Sequence, residues 1–293
     1  MICVRLNGGL GNQLFQYAAG RALALRHGCE LLLDASRLQA GDRHVTPRTF
    51  ELDHFRHRER VATAAETRRL AWLHRVPAVS HWVSPWRTYV ERGLGYNAGF
   101  AELPDQTYLV GYWQSPRYFA SVAGQIAAEL SAARPLSPAS EAVAEAISQG
   151  PSVALHVRRG DYVSLVSAAS LHGALGLPYY EAALQRVREQ VEGARYFVFS
   201  DDIAWCREHL PLRDAEAVYV GHNTGTNAWQ DIFLMASCRH HIIANSSFSW
   251  WGAWLADQRH GASGHAVIAP ARWFAGRPIQ DTSDRLPAHW MLL

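Results

Sequence analysis

The 293-residue chain has almost no net charge, because 28 Lys and Arg residues against 26 Asp and Glu residues give a formal charge of +2. Without a broad basic field, the chain lacks the usual electrostatic means of holding nucleic acid non-specifically. We therefore expect no nucleic-acid partner. An anionic ligand would have to be bound by a few charges placed locally.

Cysteine is also scarce. The four cysteines stand far apart and lack the short paired spacing of zinc or redox sites, at positions Cys3, Cys29, Cys206 and Cys238. Long apolar runs are missing too: a charge and then glycines interrupt the N-terminal stretch M-I-C-V-R-L-N-G-G, and no later run approaches the ~18 residues of a membrane span. We therefore expect a reduced, cytoplasmic protein without a signal peptide or a transmembrane helix.

Metal-binding motifs are absent from the sequence as well. No Asp-x-Asp occurs, and the pair His240-His241 lacks further ligands at convincing spacing. The sequence therefore predicts no metal site and no cofactor. The charge of an anionic ligand would then be balanced by arginine and by a helix N-terminus.

The first half of the chain opens with the pattern of a β-α-β unit, after which the periodicity weakens. In chain order the residues predict a strand at 2–7, a flexible glycine turn at 8–11, a helix from Gln13, a strand at 30–34, a helix around 64–75, an irregular surface segment at 77–106 and a strand at 108–113.

Two prolines in the stretch R-P-L-S-P at 134–138 disfavour a continuing helix, and we place the domains at 1–140 and 141–293. Beyond this point, apolar strands alternate with segments of helical period, which indicates a parallel sheet covered on both faces. The predicted strands lie at 152–157, 195–200, 217–221, 241–245 and 266–270. The fold class is therefore α/β.

Polar clusters follow three of these strands, at His156 to Asp161, Ser200 to Asp202 and Asn245 to Ser247. In open α/β sheets, ligands bind beyond the carboxyl ends of the strands. The three clusters are therefore expected to converge on one ligand site.

The first cluster is H-V-R-R-G-D-Y. Strand alternation puts His156 and Arg158 on one face and sends Arg159 to the other. A guanidinium has five donors in a planar fork, which suits bidentate binding of a diphosphate. The structural alternative is an ion-pair network formed by Arg158, Arg159 and Asp161.

The second cluster supplies two carboxylates, Asp201 and Asp202, after the strand Y-F-V-F-S. Either could accept hydrogen bonds from a base or a ribose. The alternative is that Asp202 caps the helix that starts with I-A-W-C-R-E.

The third cluster is Asn245-Ser246-Ser247-Phe248, where a helix is expected to start and where free backbone N–H groups favour an anion. We expect the serines and Phe248 to face the ligand. The spacing of Trp250, Trp251 and Trp254 is more typical of core packing.

The stretch G-G-L-G-N-Q resembles half of a dinucleotide-binding fingerprint, and Asp34 stands near the position of a ribose-binding acid. The third glycine is missing, because Leu14 occupies its place. The turn could instead let backbone approach a sugar nucleotide, or it could be purely structural.

Four stretches closely resemble the bacterial α-1,2-fucosyltransferases. They are G-G-L-G-N-Q-L-F-Q-Y-A at 8–18, H-V-R-R-G-D-Y at 156–162, F-S-D-D at 199–202 and D-I-F-L-M-A-S-C-R-H-H-I-I-A-N-S-S-F-S-W-W-G-A-W-L at 231–255. The resemblance implies a GT-B architecture of two Rossmann-like domains facing across a cleft, the first on the acceptor side and the second binding GDP-fucose. It also implies metal-independent, inverting transfer of fucose to a galactoside.

Carried over by motif, Arg158 is similar to the residue that binds and stabilises the leaving diphosphate, and His156 and Asp161 are similar to residues that order this loop and contact the donor. The remaining donor-binding residues implied by the resemblance are Arg159, Asp201, Asp202, Asn245, Ser246, Ser247 and Phe248, with Gly9, Gly11, Asn12 and Gln13 closing the cleft. The general base is not identified: Asp161 is the candidate, and His44 and Asp34 are alternatives.

The acceptor implied by the resemblance is a galactose-containing oligosaccharide or a lipid-linked glycan, reached at the inner face of a membrane by peripheral contact. Its pocket is expected within 36–114, including Trp86, Tyr112 and Trp113. Three alternatives stay open: an NAD-dependent oxidoreductase that uses Asp34, a carbohydrate-binding module, and a transferase of the same fold with another GDP-sugar.

Overall fold

The computed structural model describes residues 1–39, 48–75, 84–160, 173–261, 264–275 and 283–293. The chain divides into two compact units, Met1–Ala133 and Arg134–Leu293. The division lies slightly before the predicted boundary at residue 140. The helix that starts at Pro138 belongs to the second unit, where the backbone N–H of Ser137 donates to Gln230 Oε1 at 2.7 Å.

The first unit is built on a parallel sheet of five strands in the order β3-β2-β1-β5-β4. Its strands are β1 Ile2–Arg5, β2 Leu31–Asp34, β3 Arg60–Val61, β4 Arg87–Val90 and β5 Thr107–Val110. Its described α-helices are α1 Leu10–Arg26, α2 Ser36–Gln39, α3 Ala64–Arg75 and α4 Ala123–Glu129. Short 3-10 turns occupy Leu52–His54, Ala98–Glu102, Pro116–Tyr118 and Ala120–Val122.

Several predictions for this unit differ from the structure in detail, and β1 and β5 are both shorter than the predicted strands at 2–7 and 108–113. Helix α1 begins at Leu10 rather than at Gln13, because the glycine turn is shorter than expected: Gly8 has a φ of 80° and Gly9 already caps the helix. The segment 77–106 is not irregular throughout, because β4 lies within its described part and pairs with β5 along its whole length. Residues 76–83 lie outside the described residues.

Helix α3 has the bounds that the sequence predicted, and a reciprocal N-terminal cap explains where it begins. The backbone N–H of Thr63 donates to Glu66 Oε2 at 2.8 Å, and the backbone N–H of Glu66 donates to Thr63 Oγ1 at 3.3 Å. Two N–H groups at the helix start are thereby satisfied. Leu70 and Thr67 form its buried face.

The second unit contains a parallel sheet of six strands in the order β11-β10-β9-β6-β7-β8. The strands are β6 Ser152–Val157, β7 Arg195–Ser200, β8 Ala217–Val220, β9 His240–Ile242, β10 Val267–Ala269 and β11 Met291–Leu292. The described α-helices are α5 Pro138–Ser148, α6 Leu177–Gln190, α7 Ile203–His209, α8 Trp229–Ser237 and α9 Ser247–His260, with a 3-10 turn at Gly225–Asn227. The five predicted strands and their parallel arrangement are confirmed.

The tryptophans of α9 pack in the core, as predicted. Trp250 and Trp251 are fully buried, and the Trp250 and Trp254 rings stack with centroids 6.1 Å apart. Trp250 also donates its indole N–H to the carbonyl of Arg285 at 2.9 Å and packs against Trp290. These contacts attach the C-terminal segment and β11 to the helix.

Candidate active site

The first two polar clusters meet because β6 and β7 end side by side. Their register pairs His156 with Phe199 and Val157 with Ser200, so the residues that follow both strands emerge at the same edge of the sheet. Asp201 Oδ2 lies 2.9 Å from Arg158 Nη1. Asp201 also accepts backbone hydrogen bonds from Arg159, at 2.9 Å, and from Gly160, at 3.1 Å. One carboxylate therefore holds both the arginine and the backbone after it.

The backbone of Gly160 lies close against the side chain of Asp201. A Cβ built on it would lie 2.6 Å from Asp201 Oδ2, well inside contact distance. A larger residue at this position would therefore displace the Asp201 carboxylate from its present contacts. Asp161, the next residue and the candidate base, lies outside the described residues, as does His44.

Arg159 turns away from Arg158, as strand alternation predicted, and has its own partners. Its Nε lies 3.4 Å from Asp202 Oδ2, and its guanidinium carbon lies 4.1 Å from the centroid of the Trp205 ring. Asp202 Oδ1 accepts from the backbone N–H of Trp205 at 3.1 Å and so caps α7. The capping alternative for Asp202 is confirmed, and the structural ion-pair alternative is present here too, with Asp201 and Asp202 as the acids.

His156 connects the first cluster to the third. Its side chain is only 5% exposed, and its ring centroid lies 5.9 Å from that of Phe248. Burial, and secondly the charge of Arg158, lower the pKa of His156 to about 4, which Asp201 partly opposes. The imidazole is therefore neutral at pH 7. Its Nδ1 is buried and has no hydrogen-bond partner in the part of the chain that the structure describes.

The third cluster forms the N-terminus of the 14-residue helix α9. Ser246 caps the helix by accepting from the backbone N–H of Phe248 at 3.3 Å, while Ser247 and Phe248 are partly exposed. Asn245 is 1% exposed and donates its amide to the carbonyls of Gly173 and Trp273. The predicted helix start is confirmed, and Asn245 is engaged in holding two loops.

The four predicted site residues of the first unit lie around the start of α1. Gly9 is its N-cap, Gly11 is buried in its first turn and Asn12 Oδ1 accepts from Gln114 Nε2. Gln13 is fully buried: its amide nitrogen donates to the carbonyls of Gly8 at 3.1 Å and Thr49 at 2.9 Å, and its Oε1 accepts from the backbone of Glu51 at 3.1 Å.

Gln16, which was not among the predicted site residues, has the same role one turn later. Its amide nitrogen donates to the carbonyl of Gly111 at 3.0 Å, and its Oε1 accepts from the backbone N–H of Asn7 at 2.9 Å. The signal in the sequence is a pair of amides three residues apart within an otherwise apolar helix. Both amides fix the loops at this end of the first sheet.

Asp34 does not have the features of a ribose-binding acid or a general base. It is 1% exposed, its Oδ2 accepts from the Tyr108 hydroxyl at 2.6 Å and its Oδ1 accepts from the backbone N–H of Ser36 at 3.0 Å. Burial, and then the charge of Asp34, raise the pKa of Tyr108. Both carboxylate oxygens are engaged inside the first unit.

Trp113, which was expected to line an acceptor pocket, is instead part of the core. It is fully buried with φ at 55°, stacks on Tyr89 at 5.8 Å and contacts Phe100 and Tyr118. The prediction for Trp113 is wrong because a buried aromatic cluster and a binding surface share the same composition. Tyr112 is 44% exposed, and Trp86 is partly buried.

Asp231 is a further buried carboxyl group that was not among the predicted site residues. It lies in the first turn of α8. Its carboxylate accepts a hydrogen bond at 2.7 Å from Nδ2 of Asn223, which lies in the loop that follows β8. Burial raises its pKa to about 7, although the Asn223 hydrogen bond acts in the opposite direction. The signal would have been an acid at the start of an apolar helix.

In the described ranges, no group of three or more His, Cys, Asp and Glu side chains is arranged to hold a metal ion. None of the helices described has both the length and the apolar character to cross a bilayer.

Similarity to known proteins decides the family. The model of glycosyl transferase family 11 matches residues 82–275. The chain belongs to glycosyl transferase family 11. Among family relatives, it is 30% identical to an alpha-1,2-colitosyltransferase of Escherichia coli, over 99% of this chain and 98% of that protein. It is 31% identical to the E. coli O-antigen biosynthesis glycosyltransferase WbnK, over 92% and 94% of the two chains.

A mouse galactoside 2-alpha-L-fucosyltransferase, Sec1, is 33% identical to this family 11 member over 35% of this chain and 28% of that protein. Membership of the family confirms the resemblance stated from the motifs and shows that the chain is a glycosyltransferase. It sets aside the oxidoreductase and the carbohydrate-binding module.

Among solved structures, the chain is similar to NodZ alpha-1,6-fucosyltransferase, in a crystal soaked with GDP-fucose. The TM-score is 0.52 at 14% identity, over 87% of this chain and 92% of that one. At this identity the likeness concerns the fold. Together with the two parallel α/β units, it confirms the predicted GT-B fold class.

Proposed function

We propose that this family 11 glycosyltransferase transfers L-fucose from GDP-β-L-fucose to the 2-hydroxyl of a galactoside, with inversion and without a metal ion. The observation that carries the proposal is the pairing of Arg158 with Asp201 at the carboxyl edge of the second sheet. Carboxyl edges of parallel sheets are where α/β proteins bind nucleotides.

Arg158 is the group that binds the diphosphate. A guanidinium can form two parallel hydrogen bonds to phosphate oxygens, and its charge offsets the negative charge that develops as GDP leaves. Asp201 fixes the guanidinium before the donor arrives, so less side-chain entropy is lost on binding. Preorganised charge of this kind stabilises the transition state more than a flexible lysine would.

The N-terminus of α9 provides the second source of positive potential. Its free N–H groups and the hydroxyl of Ser247 are suited to phosphate oxygens. The contact between His156 and Phe248 connects this helix start to the strand that bears Arg158. His156 is neutral at pH 7, so it contributes a hydrogen-bonding group to the donor site rather than a charge.

The 1,2 linkage is supported by two relatives whose names share it. One is the alpha-1,2-colitosyltransferase that matches nearly the whole chain, and the other is a squirrel monkey galactoside alpha-(1,2)-fucosyltransferase that matches 36% of it at 30% identity. The galactoside acceptor and the fucose donor of the proposal follow the second relative. Asp161 stays the proposed general base.

A second candidate donor is GDP-colitose. The observation that favours it is the length of the match to the colitosyltransferase, which covers 99% of this chain. Colitose is L-fucose without its 3-hydroxyl group, so one hydroxyl distinguishes the two donors. A site with a polar group for this hydroxyl rejects the deoxy sugar strongly, whereas an apolar site discriminates weakly.

For the acceptor we propose a galactose-containing oligosaccharide or a lipid-linked glycan. A cytoplasmic enzyme would reach the lipid-linked form at the inner face of the membrane by peripheral contact.

The test is transfer by the purified protein in excess chelator, with GDP-fucose and GDP-colitose offered separately to a panel of β-galactosides. Mass spectrometry and NMR of the product give the sugar, the linkage and the anomeric configuration. The proposal predicts an α-1,2-fucoside. Consumption of GDP-colitose alone would replace fucose by the second candidate, and activity that appears only after a divalent cation is added would contradict the metal-independent mechanism.

A further inference from the structure

The stretch 67–90 has a composition unlike that of the whole chain. It contains no Asp or Glu, although acids and bases are nearly balanced over the full sequence. Its basic residues are Arg68, Arg69, Arg75 and Arg87, and its tryptophans are Trp72, Trp82 and Trp86. The described part of this stretch includes most of helix α3.

The exposed face of α3 has a tryptophan at its centre. At roughly 100° per residue, Ala65 and Trp72 project in nearly the same direction, and Arg68 and Arg69 project to either side of them. All four residues are exposed, and Leu70 lies on the opposite, buried face. Trp72, at 52%, is the most exposed large apolar side chain in the described part of the chain.

The charge on this face is entirely positive. Glu66 is the acid of α3, and it projects away from Trp72 and is bound by Arg60, with the two guanidinium nitrogens 2.9 and 2.7 Å from its oxygens. Its Oε2 also accepts from Thr63. Among the described residues, neither Arg68 nor Arg69 has a carboxylate partner.

We propose that this face of α3, formed by Ala65, Arg68, Arg69 and Trp72, is a docking surface for an anionic lipid bilayer. An indole ring is most stable at the level of the lipid headgroups, where its apolar body is covered and its N–H stays hydrated. The flanking guanidinium groups then reach the lipid phosphates. The absence of acids on this face removes the repulsion that an anionic surface would cause.

A bilayer fits this face better than a protein partner does. A stable protein interface covers about 800 Å² on each partner, usually around several buried anchors. One helix face with a single large apolar residue provides less contact area and only one such anchor. A helix that lies in the plane of a membrane needs only its own face, with basic residues beside an aromatic one.

The docking surface and the donor-binding cluster are formed by different residues. None of its residues is among the donor-binding residues, and it belongs to the first unit, whereas Arg158 and Asp201 belong to the second. Lipid binding by this surface can therefore be measured without donor or acceptor, and its outcome does not depend on the proposed sugar.

The experiment is co-sedimentation of the full chain with vesicles of phosphatidylcholine containing about one third phosphatidylglycerol, against vesicles of phosphatidylcholine alone. We expect binding to the anionic vesicles only, and release in high salt. The double variant Arg68→Gln/Arg69→Gln should bind about thirtyfold more weakly, since each basic residue near the surface contributes a factor of about five. Trp72→Ala should bind roughly tenfold more weakly, because an indole buries apolar area at the headgroups.

A matched control removes two positive charges from another part of the first unit. Arg26 and Arg37 are both exposed and lie outside α3, so Arg26→Gln/Arg37→Gln should leave vesicle binding within about twofold. Unchanged thermal unfolding midpoints show that the variants are folded. The proposal is overturned if the unaltered protein does not bind anionic vesicles, if it binds neutral vesicles equally well, or if the α3 variant and the control variant lose the same binding.

Discussion

The carboxylate of Asp201 lies 2.9 Å from Nη1 of Arg158 and also accepts hydrogen bonds from the backbone N–H groups of Arg159 and Gly160. The pairing depends on two strands that are neighbours in the sheet but lie about forty residues apart in the chain. Asp202, one residue later, makes a different contact, with the first turn of α7. Two adjacent acids of the same motif therefore have separable roles.

The two aspartates can be distinguished by substitution. Asp201→Asn removes a charge that holds Arg158, and charge-assisted hydrogen bonds are worth about 1.5–3 kcal/mol. We expect kcat/KM for GDP-fucose to fall by at least about tenfold. Asp202→Asn should leave kcat/KM within about threefold, because Asn caps the start of α7 as well as Asp does. Equal losses in the two variants would refute this separation of roles.

A substitution at Gly160 tests whether the backbone after Arg158 must lie close to Asp201. The methyl group of Gly160→Ala would lie 2.6 Å from Asp201 Oδ2, so the carboxylate has to shift from the position in which it contacts Arg158. We expect a folded protein with transfer reduced by about tenfold or more. Gly124→Ala is the matched control, because a Cβ there would meet no described atom within 4 Å beyond the backbone of its own helix. Normal turnover in Gly160→Ala would show that the close approach is dispensable.

Gln13 is expected to act through stability. Gln13→Glu loses the amide that donates to Gly8 and Thr49 and places a carboxylate in a fully buried position. The free energy of unfolding should fall by about 3–5 kcal/mol, the cost of an unpaired buried charge. Urea denaturation measures it, with the exposed Gln190→Glu as control. A loss below about 1 kcal/mol would contradict the interpretation of the amide as a link between loops.

The buried imidazole of His241 is expected to make the free energy of unfolding fall on acidification. It is fully buried and donates to the carbonyl of Met235, and burial, followed by the charge of His265, lowers its pKa to about 3. The unfolded chain takes up this proton near pH 6.5, so stability is present above that pH and is lost as the pH falls toward 3. His241→Gln keeps a donor but does not titrate. Its unfolding free energy should vary less between pH 6.5 and 4 than that of the unaltered protein, as measured by urea denaturation.

Asp231 should have the opposite effect on stability over nearly the same pH range. Burial raises its pKa to about 7, so the folded state holds a proton that the unfolded chain has lost above about pH 4. Its contribution therefore destabilises the fold as the pH rises from 4 to 7. Asp231→Asn should raise the free energy of unfolding more at pH 8 than at pH 5. An increase of equal size at both pH values would contradict this assignment.

Much of the second unit could be predicted because its information is local. Strands β6 and β7 were predicted with their observed bounds, since short, mainly apolar runs that are buried on both faces are typical of a parallel sheet. The cap at Asp202 and the start of α9 also depend on residues close together in the sequence.

The remaining features depend on contacts between distant residues. Strand β4 is short and half exposed, and its pairing with β5 decides its structure. The roles of Gln13 and Gln16 depend on Thr49 and Gly111, whose positions no spacing in the sequence reveals. Likewise, the sequence placed Asp201 near the ligand site but did not show that it holds Arg158.

The central claim is that Arg158 stabilises the leaving diphosphate through the planar fork of its guanidinium. The most direct test compares kcat for fucosyl transfer in the unaltered protein, Arg158→Lys and Arg158→Ala, at saturating GDP-fucose and in chelator. A lysine keeps the charge but cannot form two parallel hydrogen bonds. We predict that Arg158→Lys is nearly as inactive as Arg158→Ala, each slowed by orders of magnitude. Near-normal turnover in Arg158→Lys would show that charge alone is sufficient and would contradict the mechanism.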